Sequence, residues 1–108
     1  MKKLLFLLML FSETIFAQIT SKHFNAGWNK ANDVSWFMGL DDCKTKGLTD
    51  IAKNADEATK YKIAVVPTII IFKDGEEAAR FQADLSFKME ATKEEVQEAI
   101  DELLMSDF

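Results

Sequence analysis

One cysteine and one histidine are the only reactive side chains of their kinds in 108 residues, so the chemistry open to this chain is narrow. Cys43 could work as a lone thiol, sensing oxidant or forming an intermolecular disulfide in an oxidising compartment. Its neighbours pull in opposite directions. Asp41 and Asp42 disfavour a thiolate, whereas Lys44 and Lys46 favour one. Cys43 also follows a predicted helix instead of opening one, where a helix dipole would lower its pKa, and a packed, inert cysteine fits the same surroundings. His23 could serve as a base or a pH-sensitive group, but without a sequence-adjacent carboxylate or second ligand it reads equally as a structural histidine. A single Cys cannot close an intramolecular disulfide, and one His with one Cys makes no spaced ligand cluster. No metal and no cofactor are expected.

The residues that could position such groups form one small domain. The chain is 48% hydrophobic and 29% charged, with one Pro and four Gly, which excludes collagen-like, low-complexity and disulfide-stapled classes. Lys2 and Lys3 precede an unbroken apolar run from Leu4 to Phe11, and small and polar residues follow up to Ala17. This is the layout of a secretory signal peptide, with an apolar run too short to cross a bilayer. The expected organisation is therefore a leader over 1–17 and a domain over 18–108, placed in a periplasm or outside the cell, with no stable membrane anchor after cleavage. The leader would take two of 13 basic and one of 18 acidic side chains, leaving 11 against 17. An acidic domain without a basic stripe is a poor match to phosphate backbones, so nucleic acid is not an expected partner.

Along the domain, Thr92-Lys93-Glu94-Glu95 reads as a capping box opening a helix, whose apolar face is Val96, Ala99, Ile100, Leu103 and Leu104. Before it, Val65 to Phe72 reads as a strand covered on both faces, with Pro67 at its start. Asp74-Gly75 is a hairpin turn, and Ala79, Phe81, Ala83 and Leu85 alternate along the return strand. Phe81 to Met89 is unusually apolar, so Phe87 and Met89 either cover the sheet or form a partner patch. Upstream, Asn54 with Glu57 suggests a capped helix, and Thr45 to Ile51 a strand with Leu48 and Ile51 inward. Asn29 to Leu40 reads as a helix burying Val34, Phe37, Met38 and Trp36, and Ile19 to Ala26 as a strand. The order is β-α-β-α-β-β-α, which implies an α/β fold with a four-stranded mixed sheet flanked by helices.

That order resembles the thioredoxin-like superfamily, in a trimmed form. Tyr61 to Thr68, with Val66-Pro67-Thr68 at its end, is similar to the family's approach to its cis-proline loop. Phe72-Lys73-Asp74-Gly75-Glu76 is similar to the end of the family's hairpin strand. Phe24-Asn25-Ala26-Gly27-Trp28 is similar to the strand end leading into the family's active site. The resemblance spans about residues 19 to 104, without the strand and helix that longer members carry in front. It implies that Asn29 and Asn32 stand where disulfide-exchanging members carry Trp-Cys-x-x-Cys, and His23 where a buried acid is common. Exchange needs an attacking thiolate and a resolving thiol, and an amide is neither.

The expectation is therefore a redox-inactive domain that binds a peptide or protein partner through an edge made by Trp28, Asn29, Asn32, Val66 and Pro67. There Val66 would offer its backbone to an extended segment. The competing reading is a monothiol redox protein in thiol–disulfide homeostasis acting through Cys43. A third makes the domain small enough to need a homodimer or another partner for stability.

Overall fold

The computed structural model describes residues 18–106, so the signal-peptide reading of residues 1–17 lies outside the described residues. The elements run β1 (Ile19–Asn25), two 3-10 turns (Gly27–Asn32 and Phe37–Gly39), β2 (Thr45–Asp50), α1 (Ala55–Lys60), β3 (Thr68–Lys73), β4 (Glu76–Gln82) and α2 (Lys93–Met105). The four strands form one mixed sheet in the order β2-β1-β3-β4. β1 and β2 are parallel, whereas β3 is antiparallel to both β1 and β4. The α/β architecture with a four-stranded mixed sheet is as the sequence implied.

β3 organises the core because both of its faces are covered. Ile69 and Ile71 face one apolar cluster with Ile19, Val34, Phe37, Leu40, Val96 and Ile100. Ile70 and Phe72 face the other with Phe24, against Ile51, Tyr61 and Ile63. This two-sided burial explains the continuous apolar run of its sequence. The strand opens at Thr68, immediately after Pro67, which has no N–H for a ladder. Val65 and Val66 stay outside it. Asp74 and Gly75 both have positive φ (53° and 87°), the backbone of a two-residue hairpin turn. The box at Thr92 is complete: Glu95 N–H donates to Thr92 Oγ1 at 3.2 Å, and Thr92 N–H to Glu95 Oε1 at 3.0 Å.

Several sequence expectations fail, each for a physical reason. The helix expected over 29–40 is two short 3-10 turns. The Asn29 carbonyl, which an α-helix would bond to residue 33, instead accepts from Asn25 Nδ2 at 3.1 Å, and Asp33 adopts ψ 141°, outside any helix. Met38 is exposed in consequence. Leu48 is not inward but 64% exposed, because β2 is an edge strand with little packed over that face. Leu85 is 94% exposed. β4 ends at Gln82, opposite Thr68 where β3 begins, and Ala83 N–H donates to the Pro67 carbonyl, so Leu85 lies beyond the sheet. Asn54 precedes α1 but its side chain makes no cap bond, and Asn54 Nδ2 donates instead to the Asp50 carbonyl at 2.9 Å.

Candidate functional site

The carboxyl end of β1 delivers the chain into the first 3-10 turn at Gly27, and four of the five expected edge residues meet there. Asn29 is buried and is the hub. Its Nδ2 donates to Asn25 Oδ1 at 3.0 Å, to the Phe87 carbonyl at 3.1 Å and to the Val66 carbonyl at 3.5 Å. Its Oδ1 accepts from Asn32 Nδ2 at 2.8 Å. Asn25 Nδ2 in turn donates to the Asn29 carbonyl at 3.1 Å and to Asp33 Oδ1. The Val66–Pro67 peptide is cis, and the Pro67 carbonyl accepts from Ala83 N–H at 3.0 Å. Arg80 holds the approach to this loop by donating to the carbonyls of Tyr61 and Lys62, at 2.6 and 3.1 Å.

Trp28 differs from its neighbours in being 68% exposed. Its ring meets that of Phe87 edge-on, with centroids 5.2 Å apart. Phe87 sits in a turn built by Asp84, whose Oδ1 accepts from Ser86 N–H, Ser86 Oγ and Lys88 N–H. Phe87 has φ +65°, a conformation that bulky side chains rarely adopt. Val66 is only 3% exposed, and the Phe87 loop lies against it through the shared Asn29 amide. The edge is therefore closed by the chain's own 83–89 segment, with the Trp28 ring left outside.

A second concavity of about 410 Å³ opens on the other flank of the 27–32 turn, beyond the ends of the parallel strands β1 and β2. Asp33, Asp50 and Lys30 line it, with Met38 and Leu48 at its apolar side. His23 forms part of its floor. Burial pushes the His23 pKa below the ordinary histidine value, with Asp33 opposing the shift. His23 Nε2 accepts the Val34 N–H at 3.2 Å, which a neutral imidazole can do and an imidazolium cannot.

Cys43 does not join this site. It precedes β2, next to Lys44, whose N–H donates to the Ile19 carbonyl, whereas Pro67 adjoins the Phe24 end of β1. The interval from Ile19 to Phe24 spans roughly 17 Å at the rise of an extended strand. Burial raises the Cys43 pKa, with the Ser21 hydroxyl and Lys46 partly offsetting it and Asp42 and Asp41 reinforcing it. Ser21 Oγ donates to Sγ at 3.7 Å, and the thiol packs against the main core. Among the described residues, no group of three or more His, Cys, Asp or Glu side chains is placed to hold a metal ion.

No family model and no curated protein sequence matches the chain. Solved structures do match. The chain superposes on a designed protein with a TM-score of 0.58 at 22% identity, covering 89% of this chain and 90% of that one. A mutant thioredoxin from Halobacterium salinarum gives a TM-score of 0.55 at 20% identity, over 82% of this chain and 74% of that one. Thioredoxin-2, described as a component of malaria parasite protein secretion machinery, gives 0.60 at 18% identity, over 80% of this chain and 84% of that one. The fold is thioredoxin-like.

Within this thioredoxin-like fold, Asn29 and Asn32 follow β1 directly, next to the Val66–Pro67 loop, and bond to each other. Asn25, Asp33 and Phe87 belong to the same network and were not singled out together by the sequence. The four-residue spacing of Asn25, Asn29 and Asp33 was visible, but it gave no sign of the Phe87 carbonyl, 58 positions from Asn29.

Proposed function

We propose that this chain is a secreted or periplasmic thioredoxin-fold protein that binds a peptide or protein segment at the Trp28–Pro67 edge and exchanges no disulfides. The observation that carries the reading is the backbone of Val66. Its N–H donates to no acceptor among the described residues, and its carbonyl receives only the 3.5 Å contact from Asn29. On a residue so buried, an unpaired N–H is costly, and an extended segment adding at this edge would pair it. Trp28 stands beside it as an exposed aromatic anchor of the kind that dominates binding surfaces. Insertion of a segment displaces Phe87 from Trp28. The monothiol alternative is disfavoured by the raised Cys43 pKa and its place at the far end of β1.

The test is titration of ¹⁵N-labelled protein with a reduced, alkylated unfolded polypeptide, alongside a disulfide-reduction assay. The Val66 amide and the Trp28 indole should shift together, Trp28→Ala should abolish the response, and no disulfide should be turned over. Binding that leaves Val66 and Trp28 unperturbed, or catalytic reduction by the native chain, overturns the proposal.

Secretion has its own support and test. Gln18 N–H donates to Asp74 Oδ1 at 2.9 Å, so cleavage after Ala17 would place the new α-ammonium on a carboxylate, a charge-assisted bond. Mass spectrometry of the exported protein should find a chain starting at Gln18, and a full-length cytoplasmic product would refute this part.

A further inference from the structure

We propose that the edge of β2 that no other described strand pairs joins the β2 edge of a second copy of this chain, in antiparallel fashion about a two-fold axis through Leu48. β2 is the terminal strand of the sheet, and edges of this kind are normally blunted by Pro, a bulge or an outward charge. Thr45–Asp50 contains no Pro, and its pairing with β1 runs without a register shift. Lys46, the charge that could guard it, is turned back so that Nζ donates to the carbonyls of Met38 and Leu40 at 2.6 and 2.8 Å. What faces solvent is Leu48, with Met38 exposed beside the same concavity.

The sequence of the edge says what fits it. Side chains alternate along a strand, so Lys46, Leu48 and Asp50 share one face, in the order cation, apolar, anion. Antiparallel pairing centred on Leu48 sets Leu48 against Leu48 of the second copy and each Lys46 opposite the other Asp50, to which Lys46 Nζ would swing from the Met38 and Leu40 carbonyls. The pattern is self-complementary, as an isologous dimer requires. The backbone agrees with the register. Ile51 N–H donates to the Asn25 carbonyl, and Ser21 and His23 of β1 lie opposite Lys46 and Leu48, so alternation turns the amides of Gly47 and Thr49 toward β1 and those of Lys46, Leu48 and Asp50 outward. In the Leu48-centred register Leu48 faces Leu48, and each Lys46 faces Asp50, as hydrogen-bonded pairs.

Sedimentation and cross-linking test this. The native chain should show a concentration-dependent monomer–dimer equilibrium. Leu48→Glu, at an exposed position, should raise the dissociation constant about tenfold or more, the worth of one buried leucine. Asp50→Lys should weaken the dimer, and Lys46→Asp with Asp50→Lys should restore it. In a Cys43→Ala background, Leu48→Cys should oxidise to a covalent dimer, since the paired Cα atoms lie within disulfide range, whereas Leu85→Cys should not. A native chain that stays monomeric, a dimer indifferent to Leu48→Glu, or equal cross-linking at positions 48 and 85 overturns the proposal.

Discussion

The Trp28 ring meets the Phe87 ring edge-on at 5.2 Å, joining the first turn after β1 to a loop that follows β4. The contact is the outer layer of a closure whose inner layer is the Asn29 amide bridging Val66 and Phe87. The exposed aromatic pair and the buried backbone of Val66 are thus two parts of one edge, with the 83–89 loop as its cover.

Replacing Phe87 separates cover from surface. Phe87→Gly loses the edge-on ring pair, worth about 1 kcal/mol, but relieves the left-handed φ by a similar amount. Phe87, only 41% exposed, also gives up its covered area, so stability in urea should fall by about 1–2 kcal/mol, while affinity for an unfolded polypeptide rises. A loss of binding would mean that Phe87 is part of the binding surface.

Asn29→Ala removes the donor shared by Asn25, Val66 and Phe87 and should destabilise by about 2 kcal/mol, because buried acceptors are left unpaired. Asn29→Asp keeps the shape but cannot donate, and should cost at least as much. Denaturation midpoints at neutral pH check both. A midpoint for Asn29→Asp equal to that of the native chain would contradict the hub role.

Alkylation of Cys43 should be slower in the native protein than in denaturant at every pH up to the free-thiol range, since burial raises its pKa. The thermodynamic sign follows. The unfolded thiol ionises first as pH rises, so alkaline pH favours unfolding, and stability is retained below the unfolded thiol pKa. A native thiolate forming below neutral pH would reverse the assignment and reopen monothiol chemistry.

His23 gives the opposite pH dependence. Its pKa is lowered by burial, so the unfolded chain takes up a proton first as pH falls below the ordinary value of 6.5. Stability is held above that value and falls through the mildly acidic range, with loss of the bond from Val34 N–H. Urea midpoints between pH 7 and 5 should drop for the native chain and flatten for His23→Gln. Equal slopes in the two proteins would place the acid sensitivity elsewhere.

The sequence by itself determined the elements whose signals are local. The Ile69–Phe72 run, the Asp74-Gly75 turn and the Thr92–Glu95 box each specify backbone within a few residues. The unbroken apolar run marks β3 as covered on both faces, and helical spacing assigns the buried face of α2. That residues 29 and 32 carry amides and not thiols was also legible, because the absence of a thiol needs no geometry. Tertiary structure decided the rest. Whether Leu48 is inside depends on which strand ends the sheet, not on its own neighbours in sequence. The exposure of Leu85 follows from where β4 stops pairing. The Asn29 hub rests on acceptors 37 and 58 positions away, and a hydrogen-bond partner that distant leaves no periodicity for the sequence to display.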